Sequence, residues 1–189
     1  QGNSGTPSYF GAPITATGGG GGGYDVGPFS TLGSPGGSGG GSGNTSSGSY
    51  STVAGGRANL ASGTNAFIAG GSYGTTRNIT GNHVFPACDG PITGGVGYGQ
   101  TQSALLLLAR QTTNATATIL NSEYNAAAST TNQVVLPNNA AYSFSGEVIA
   151  GITGGGDTAR WTINGAIKRG ANAASTTMVG TPTVTMTHN

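Results

Sequence analysis

Five carboxylates, two histidines and one cysteine are the first side chains to weigh for acid, base, nucleophilic or metal chemistry. The carboxylates are Asp25, Asp89, Glu123, Glu147 and Asp157. Two carboxyls that cleave a glycosidic bond must be held roughly 5 to 10 Å apart, and no pair here has a spacing that imposes it. Glu147 and Asp157 flank one prospective hairpin and come nearest, but they read as solvated groups. His83, Cys88 and Asp89 are the residue types of a base, a nucleophile and an orienting carboxylate. Adjacency alone does not build that geometry, and Cys88 is expected as a small buried residue. A single cysteine also excludes an intrachain disulfide and a cysteine-based zinc site. His188 has no histidine or carboxylate at helical spacing, so the helical zinc motif is absent. The Gly18–Gly23 run satisfies a G-x-G-x-x-G pattern trivially, without the Lys-Ser/Thr of a phosphate loop. No catalytic residue, cofactor-binding residue, cofactor or metal ligand is assigned, and the expectation is a protein that is not an enzyme.

Binding chemistry is easier to place. Aromatic rings cover the apolar faces of sugars, while amides and hydroxyls satisfy sugar hydroxyls. Tyr50, Tyr73 and Tyr98 sit among Asn, Ser, Thr and Gly and are the candidate glycan contacts; Tyr24 and Tyr124 have similar neighbours. The same rings could instead pack at turns or between subunits. Arg57 and Arg77 could bind an anionic glycan or pair across subunits. Two charges in so neutral a region favour the second.

The composition says what kind of scaffold must position these groups. Of 189 residues, 38 are Gly, 8 are Pro and only 6% are charged, against ~25% charged in an ordinary globular domain. Helices with charged outer faces are thereby excluded, and with them the usual cytosolic α/β enzyme. A net charge of +1 cannot supply the roughly six to ten phosphate contacts that hold a protein on nucleic acid. A solvated disordered tail would be far more charged. The longest apolar run, Ala104–Ala109, is too short for a membrane helix, which needs ~18 residues, and no signal peptide is visible. A chain beginning at Gln1 is expected to be processed or part of a longer one. Uncharged sequence rich in Gly, Thr, Ser, Asn and Ala suits extended β structure or close-packed backbone outside the cell, with neither nucleic acid nor membrane as partner.

Residues 1–43 read as a Gly/Ser/Pro-rich arm, either a flexible linker or packed polyglycine. Residues 44–90 repeat. Gly43-Asn-Thr-Ser-Ser-Gly-Ser-Tyr-Ser-Thr-Val-Ala-Gly-Gly56 aligns with Ala58-Asn-Leu-Ala-Ser-Gly-Thr-Asn-Ala-Phe-Ile-Ala-Gly-Gly71 at an offset of 15, and a looser copy runs from Asn78 to Val84-Phe85. So short a period fits one coil of a β-solenoid. Val53, Ile68 and one of Val84/Phe85 then form an inward ladder, with Gly48, Gly55, Gly56, Gly63, Gly70 and Gly71 at the turns. Two or three coils are too few to stand alone, so identical chains are expected to complete the ladder's burial as a trimer core. Residues 91–102 read as a Gly-rich linker.

The pattern Asn-x-x-Ser-Gly-(x)4-Val/Ile-Ala-Gly-Gly resembles the left-handed β-roll repeats of trimeric autotransporter adhesin heads, and more closely their relatives in bacteriophage tail fibres and other virion fibres. It covers residues 43–90. A second resemblance, to a β-domain that follows such repeats in phage fibres, lies in Leu108–Thr118, Ser129–Asn139, Gly165–Gly170 and Val179–Val184. Together they imply an intertwined homotrimer on the virion surface, working with other virion proteins and with host-surface polysaccharide. A tail fibre that attaches to the host is the leading expectation. The alternatives are a capsid-exterior decoration or head-fibre protein, and a trimeric adhesin or extracellular filament subunit on a bacterial cell surface. In such domains the strands usually continue past the position of His188, so the domain is expected to be incomplete at its C-terminus, its last strands missing or supplied by a neighbour.

Residues 103–189 also read without the family, as an antiparallel β-sandwich-like domain. Alternation from Ala141 to Ile152 puts Tyr142, Phe144 and Val148 on one face, Thr153–Asp157 makes a hairpin loop, and the return strand adds Trp161, Ile163 and Ile167. These six are the expected core. Leu105–Arg110, Ala115–Leu120, Gln133–Leu136 and Pro182–Thr187 are shorter strand candidates. The fold class is therefore all-β.

Overall fold

The computed structural model describes residues 8–9, 15–16, 37–38, 41–86, 92, 97–124 and 126–188. Among them the regular structure is all β, apart from one 3-10 turn at Ala173–Ser175, and no sheet closes on itself. The chain divides into two units, Gln1–Val134 and Val135–Asn189.

In the first unit, β1 (Ser8–Tyr9) pairs antiparallel with β2 (Thr15–Ala16). The strands β3 (Gly37–Ser38), β5 (Thr52–Val53), β7 (Phe67–Ile68) and β8 (His83–Pro86) then stack in parallel. A second parallel row joins β4 (Thr45–Ser46) to β6 (Leu60–Ala61) and continues through Leu60 to Thr75. A third links Ser42, Arg57 and Ser72. The offset of 15 visible in the sequence is thus the register of three parallel rows. From Ile68 to Val84 the register is one residue longer. The extra residue falls between Thr75 and Ile79, where Arg77 and Asn78 both adopt left-handed backbone (φ 52° and 59°).

Pleating turns Val53, Ile68 and Val84 inward, where they form a fully buried cluster with Ala61. Burying each branched side chain contributes roughly 1.5–3 kcal/mol. Two expectations change here. Phe85 is 48% exposed, because in a strand the neighbour of an inward residue faces out. The ladder is also buried within a single chain, since Ala61 from the β4–β6 row completes the cluster; identical chains are not needed to cover it. Asn59 is fully buried beside it with its amide satisfied. Its Nδ2 donates to Gly55 O (3.1 Å), Gly71 O (3.0 Å) and Asn44 Oδ1 (3.1 Å), and its Oδ1 accepts from Gly74 N–H (2.8 Å).

The repeat glycines divide by cause. Gly48 and Gly63 are needed for close stacking, since a Cβ on either would lie 2.1 Å from a carbonyl oxygen of the next rung. Gly56, Gly70 and Gly71 take positive φ (88°, 140° and 82°), and Gly55 supplies a carbonyl to Asn59. The repeat also reaches into the expected arm. Gly37–Ser38 is a paired strand, and a Cβ on Gly41 would lie 1.9 Å from Gly56 O. Here the glycine is packed backbone, which gives no side-chain alternation for a reader to find. The Gly18–Gly23 run lies outside the described residues.

The strand β9 (Gln102–Leu105) pairs antiparallel with β8 at the end of the repeat sheet. It therefore belongs to the first unit, as do residues up to Val134, although 103 onward was expected in the C-terminal domain. Of the strands expected at Leu105–Arg110, Ala115–Leu120 and Gln133–Leu136, only the end of β9 and the isolated bridge Ala109↔Asn121 form. Asparagine side chains have captured the backbone instead. Buried Asn121 donates to Ala126 O (2.8 Å) and accepts from Glu123 N–H (2.9 Å). Buried Asn132 donates to Ala127 O (2.8 Å) and accepts from Ser129 N–H (2.7 Å).

The second unit is one antiparallel sheet of β10 (Ala140–Gly151), β11 (Thr158–Arg169), β12 (Thr177–Met178) and β13 (Thr183–His188). The β10–β11 hairpin pairs from Ala140↔Arg169 to Gly151↔Thr158, with the loop where the alternation puts it. Tyr142, Phe144, Val148, Trp161, Ile163 and Ile167 do share a face, but each is only half-buried. They are not the core of a sandwich, because the described residues of this unit supply no second sheet. Leu136 alone among their hydrophobic side chains is buried.

Candidate functional site

Two of the three tyrosines expected to meet glycans come together. Tyr73 and Tyr98 sit edge to face with ring centroids 6.0 Å apart. The backbone holds them there. Tyr73 is left-handed (φ 58°), its N–H donates to Arg57 O (3.0 Å), and its carbonyl accepts from Gly99 N–H (2.7 Å). The Arg57 guanidinium carbon lies 5.3 Å from the Tyr73 ring centroid, a cation–π contact worth about 0.5–1 kcal/mol at an exposed site. Arg77 donates from Nη2 to Gly99 O (2.9 Å), which ties the Tyr98 turn to the last rung. Each arginine thus has a partner within the chain.

Gln102 locks the same end. Its Oε1 accepts from Thr75 N–H (2.9 Å) and its Nε2 donates to Thr75 O (2.9 Å). The side-chain amide does for Thr75 what the next strand's peptide would have done. The exposed Tyr98 ring, the half-buried Tyr73 ring and a stacked guanidinium make a surface suited to a sugar face and an anionic substituent. Tyr50 does not join it. That residue is exposed at another turn, where it and Asn65 are both left-handed (φ 56° and 53°). Sequence reading missed the left-handed row Gly43, Ala58 and Tyr73 (φ 70°, 53° and 58°); the offset of 15 from Gly43 was the available signal. For the Gln102 clamp there was none.

The acid–base residues are dispersed into structural tasks. Glu123 accepts from Thr80 Oγ1 (2.9 Å) and from Asn132 Nδ2 (3.1 Å), pinning the loop region to the repeat. Glu147 pairs with Arg160. It sits opposite Thr162, four rungs from the hairpin end where Asp157 lies, or about 13 Å along the strand, too far for paired carboxylate catalysis. His83 is exposed and packs edge-on against Phe67 at 5.6 Å. The positions Asp25, Cys88 and Asp89 lie outside the described residues, and His188 is described only by its backbone pairing with Arg160. No group of three His, Cys, Asp or Glu side chains converges among the described residues, and no helix is long and apolar enough to cross a membrane. Two open depressions lie among the described residues, one at the hairpin end around Ile152 and Asp157 and one beside Arg110 and Ile119. No protein-family model matches the chain, and neither the curated proteins nor the solved structures contain a match.

Proposed function

We propose that the chain is a structural and adhesive subunit of an extracellular fibre, a homotrimeric tail fibre of a bacteriophage virion that attaches to the host surface. In this reading the 15-residue rungs are coils of a short β-solenoid shaft, and the C-terminal sheet belongs to a knob or joint. The observation that carries it is the parallel stacking of rungs around the buried Val53–Ile68–Val84 row, a construction that provides length and stiffness rather than a cleft. The scarcity of charge supports it, because little of the surface is built for solvation. So does the Tyr73–Tyr98–Arg57 cluster, which offers rings and a cation to a polysaccharide. Its partners are then further copies of the chain, other virion proteins and host-surface polysaccharide.

Sedimentation at high dilution, combined with binding to a panel of bacterial surface polysaccharides, tests the reading. The expected result is a species of three times the chain mass, with glycan binding that Tyr98→Ala weakens. A stable monomer that binds no polysaccharide overturns it. A trimer that ignores polysaccharide but binds capsids moves the role to capsid decoration.

A further inference from the structure

We propose that the half-exposed apolar face of the C-terminal sheet is the surface on which copies of this chain meet, each sheet serving as the missing second layer for another. The face is continuous across three strands. Val148 of β10 lies opposite Trp161 of β11, which lies opposite Met186 of β13, and in the adjacent row Ile163 lies opposite Val184. Val184 is 65% exposed and Met186 54%. A sheet with one apolar face is stable only when that face is packed on another layer.

The chemistry of the two faces selects the occupant. The reverse side carries Glu147, Arg160 and Lys168 and is ordinary solvated surface. Between the Tyr142↔Ile167 and Ala150↔Ala159 rows, the apolar side carries no charged residue. It therefore offers nothing to nucleic acid or to a charged partner. Its size also fits association between copies. Within those rows, nine residues of each long strand flanked by the six of β13 give a flat footprint of about 400 Å². Side chains standing on that footprint raise the accessible area toward the roughly 800 Å² that one partner brings to a stable interface. An uncharged face is matched in length and chemistry by the same face of the other copies, and in a homotrimer closed threefold symmetry turns all three faces toward one axis and buries them together. The number of copies rests on the homotrimer reading; the assignment of the face rests on the sheet.

The test uses the full chain in three forms, wild type, Val184→Asp and Ile149→Asp, each followed by analytical ultracentrifugation and far-ultraviolet circular dichroism. Ile149 is 70% exposed on the opposite face, so it controls for an added charge on this sheet. Val184→Asp is expected to weaken association about 100-fold, the consequence of an unpaired charge in an apolar interface, while Ile149→Asp assembles as wild type does. A second arm places cysteine at each position in a Cys88→Ser background. Under oxidation Val184→Cys is expected to give interchain disulfides and Ile149→Cys none, a readout that stands even where Val184→Asp fails to fold. An assembled wild type whose Val184→Asp form associates equally well, or whose Ile149→Cys form cross-links instead, overturns the assignment of the face and leaves the homotrimer reading intact. A monomeric wild type overturns both.

Discussion

The repeat and the C-terminal sheet are both β structure poor in charge, yet they solve burial in opposite ways. In the repeat, small residues let backbones stack closely, and four side chains (Val53, Ala61, Ile68 and Val84) are buried inside one chain. Among its buried polar groups, Asn59 has partners at every rung it touches. In the C-terminal sheet the side chains are larger, including Trp161 and Phe144, and each is only partly covered. Core size does not follow side-chain size. A few methyl groups enclosed from all sides are removed from water more completely than several rings on an open face.

That contrast can be broken by substitution. The largest effect is expected at Ile68→Ala, which removes the centre of the enclosed ladder and should lower repeat stability by about 3–4 kcal/mol. Chemical denaturation should give the same loss at every protein concentration; a concentration-dependent loss would mean that the repeat also relies on its neighbours. Next comes Asn59→Ala, which takes the side-chain partner from Gly74 N–H and from the carbonyl of Gly55, and one of two donors from Gly71 O and Asn44 Oδ1. It should cost about 2–3 kcal/mol in the same measurement. Ala58→Gly should act in the other direction. Ala58 holds φ 53°, and relieving that strain should raise the repeat's melting temperature by an amount equivalent to about 1 kcal/mol. The smallest change is expected in the sheet, at Glu147→Gln. The Glu147–Arg160 pair is roughly half exposed on both sides, so solvent screening leaves it below about 0.5 kcal/mol. A larger loss would show the polar face to be covered in the assembled protein.

The legible parts of this chain were those where side chains mark a period. Val53 and Ile68 recur at 15 residues and lie where that spacing puts them. The β10–β11 hairpin follows its alternation from Tyr142 to Ile167. Val84 and Phe85 could not be separated by composition, since both are apolar; strand direction separates them. Gly37 and Ser38 were silent because a rung made of glycine and serine has no apolar face to alternate. The loop region misled for a different reason. Its Thr- and Val-rich segments carry β propensity, but Asn121 and Asn132 offer the backbone closer partners than a neighbouring strand does. Of the candidate site, the tyrosines were visible as residue types. Their meeting depends on a left-handed Tyr73 and on a contact from Gly99, far along the chain.

An exposed row of peptide groups at the end of a stack is a template for further strands, and with them for uncontrolled polymerisation. The Gln102 amide occupies both groups of Thr75 and gives the β4–β6 row a finished edge. The row therefore has a direction: it can be lengthened by inserting whole 15-residue modules upstream, each adding about 4.8 Å, but not by recruiting strands at the Thr75 end. That glutamine finishes this row as β9 finishes its neighbour, and removing it would reopen the peptide groups of Thr75 to another strand.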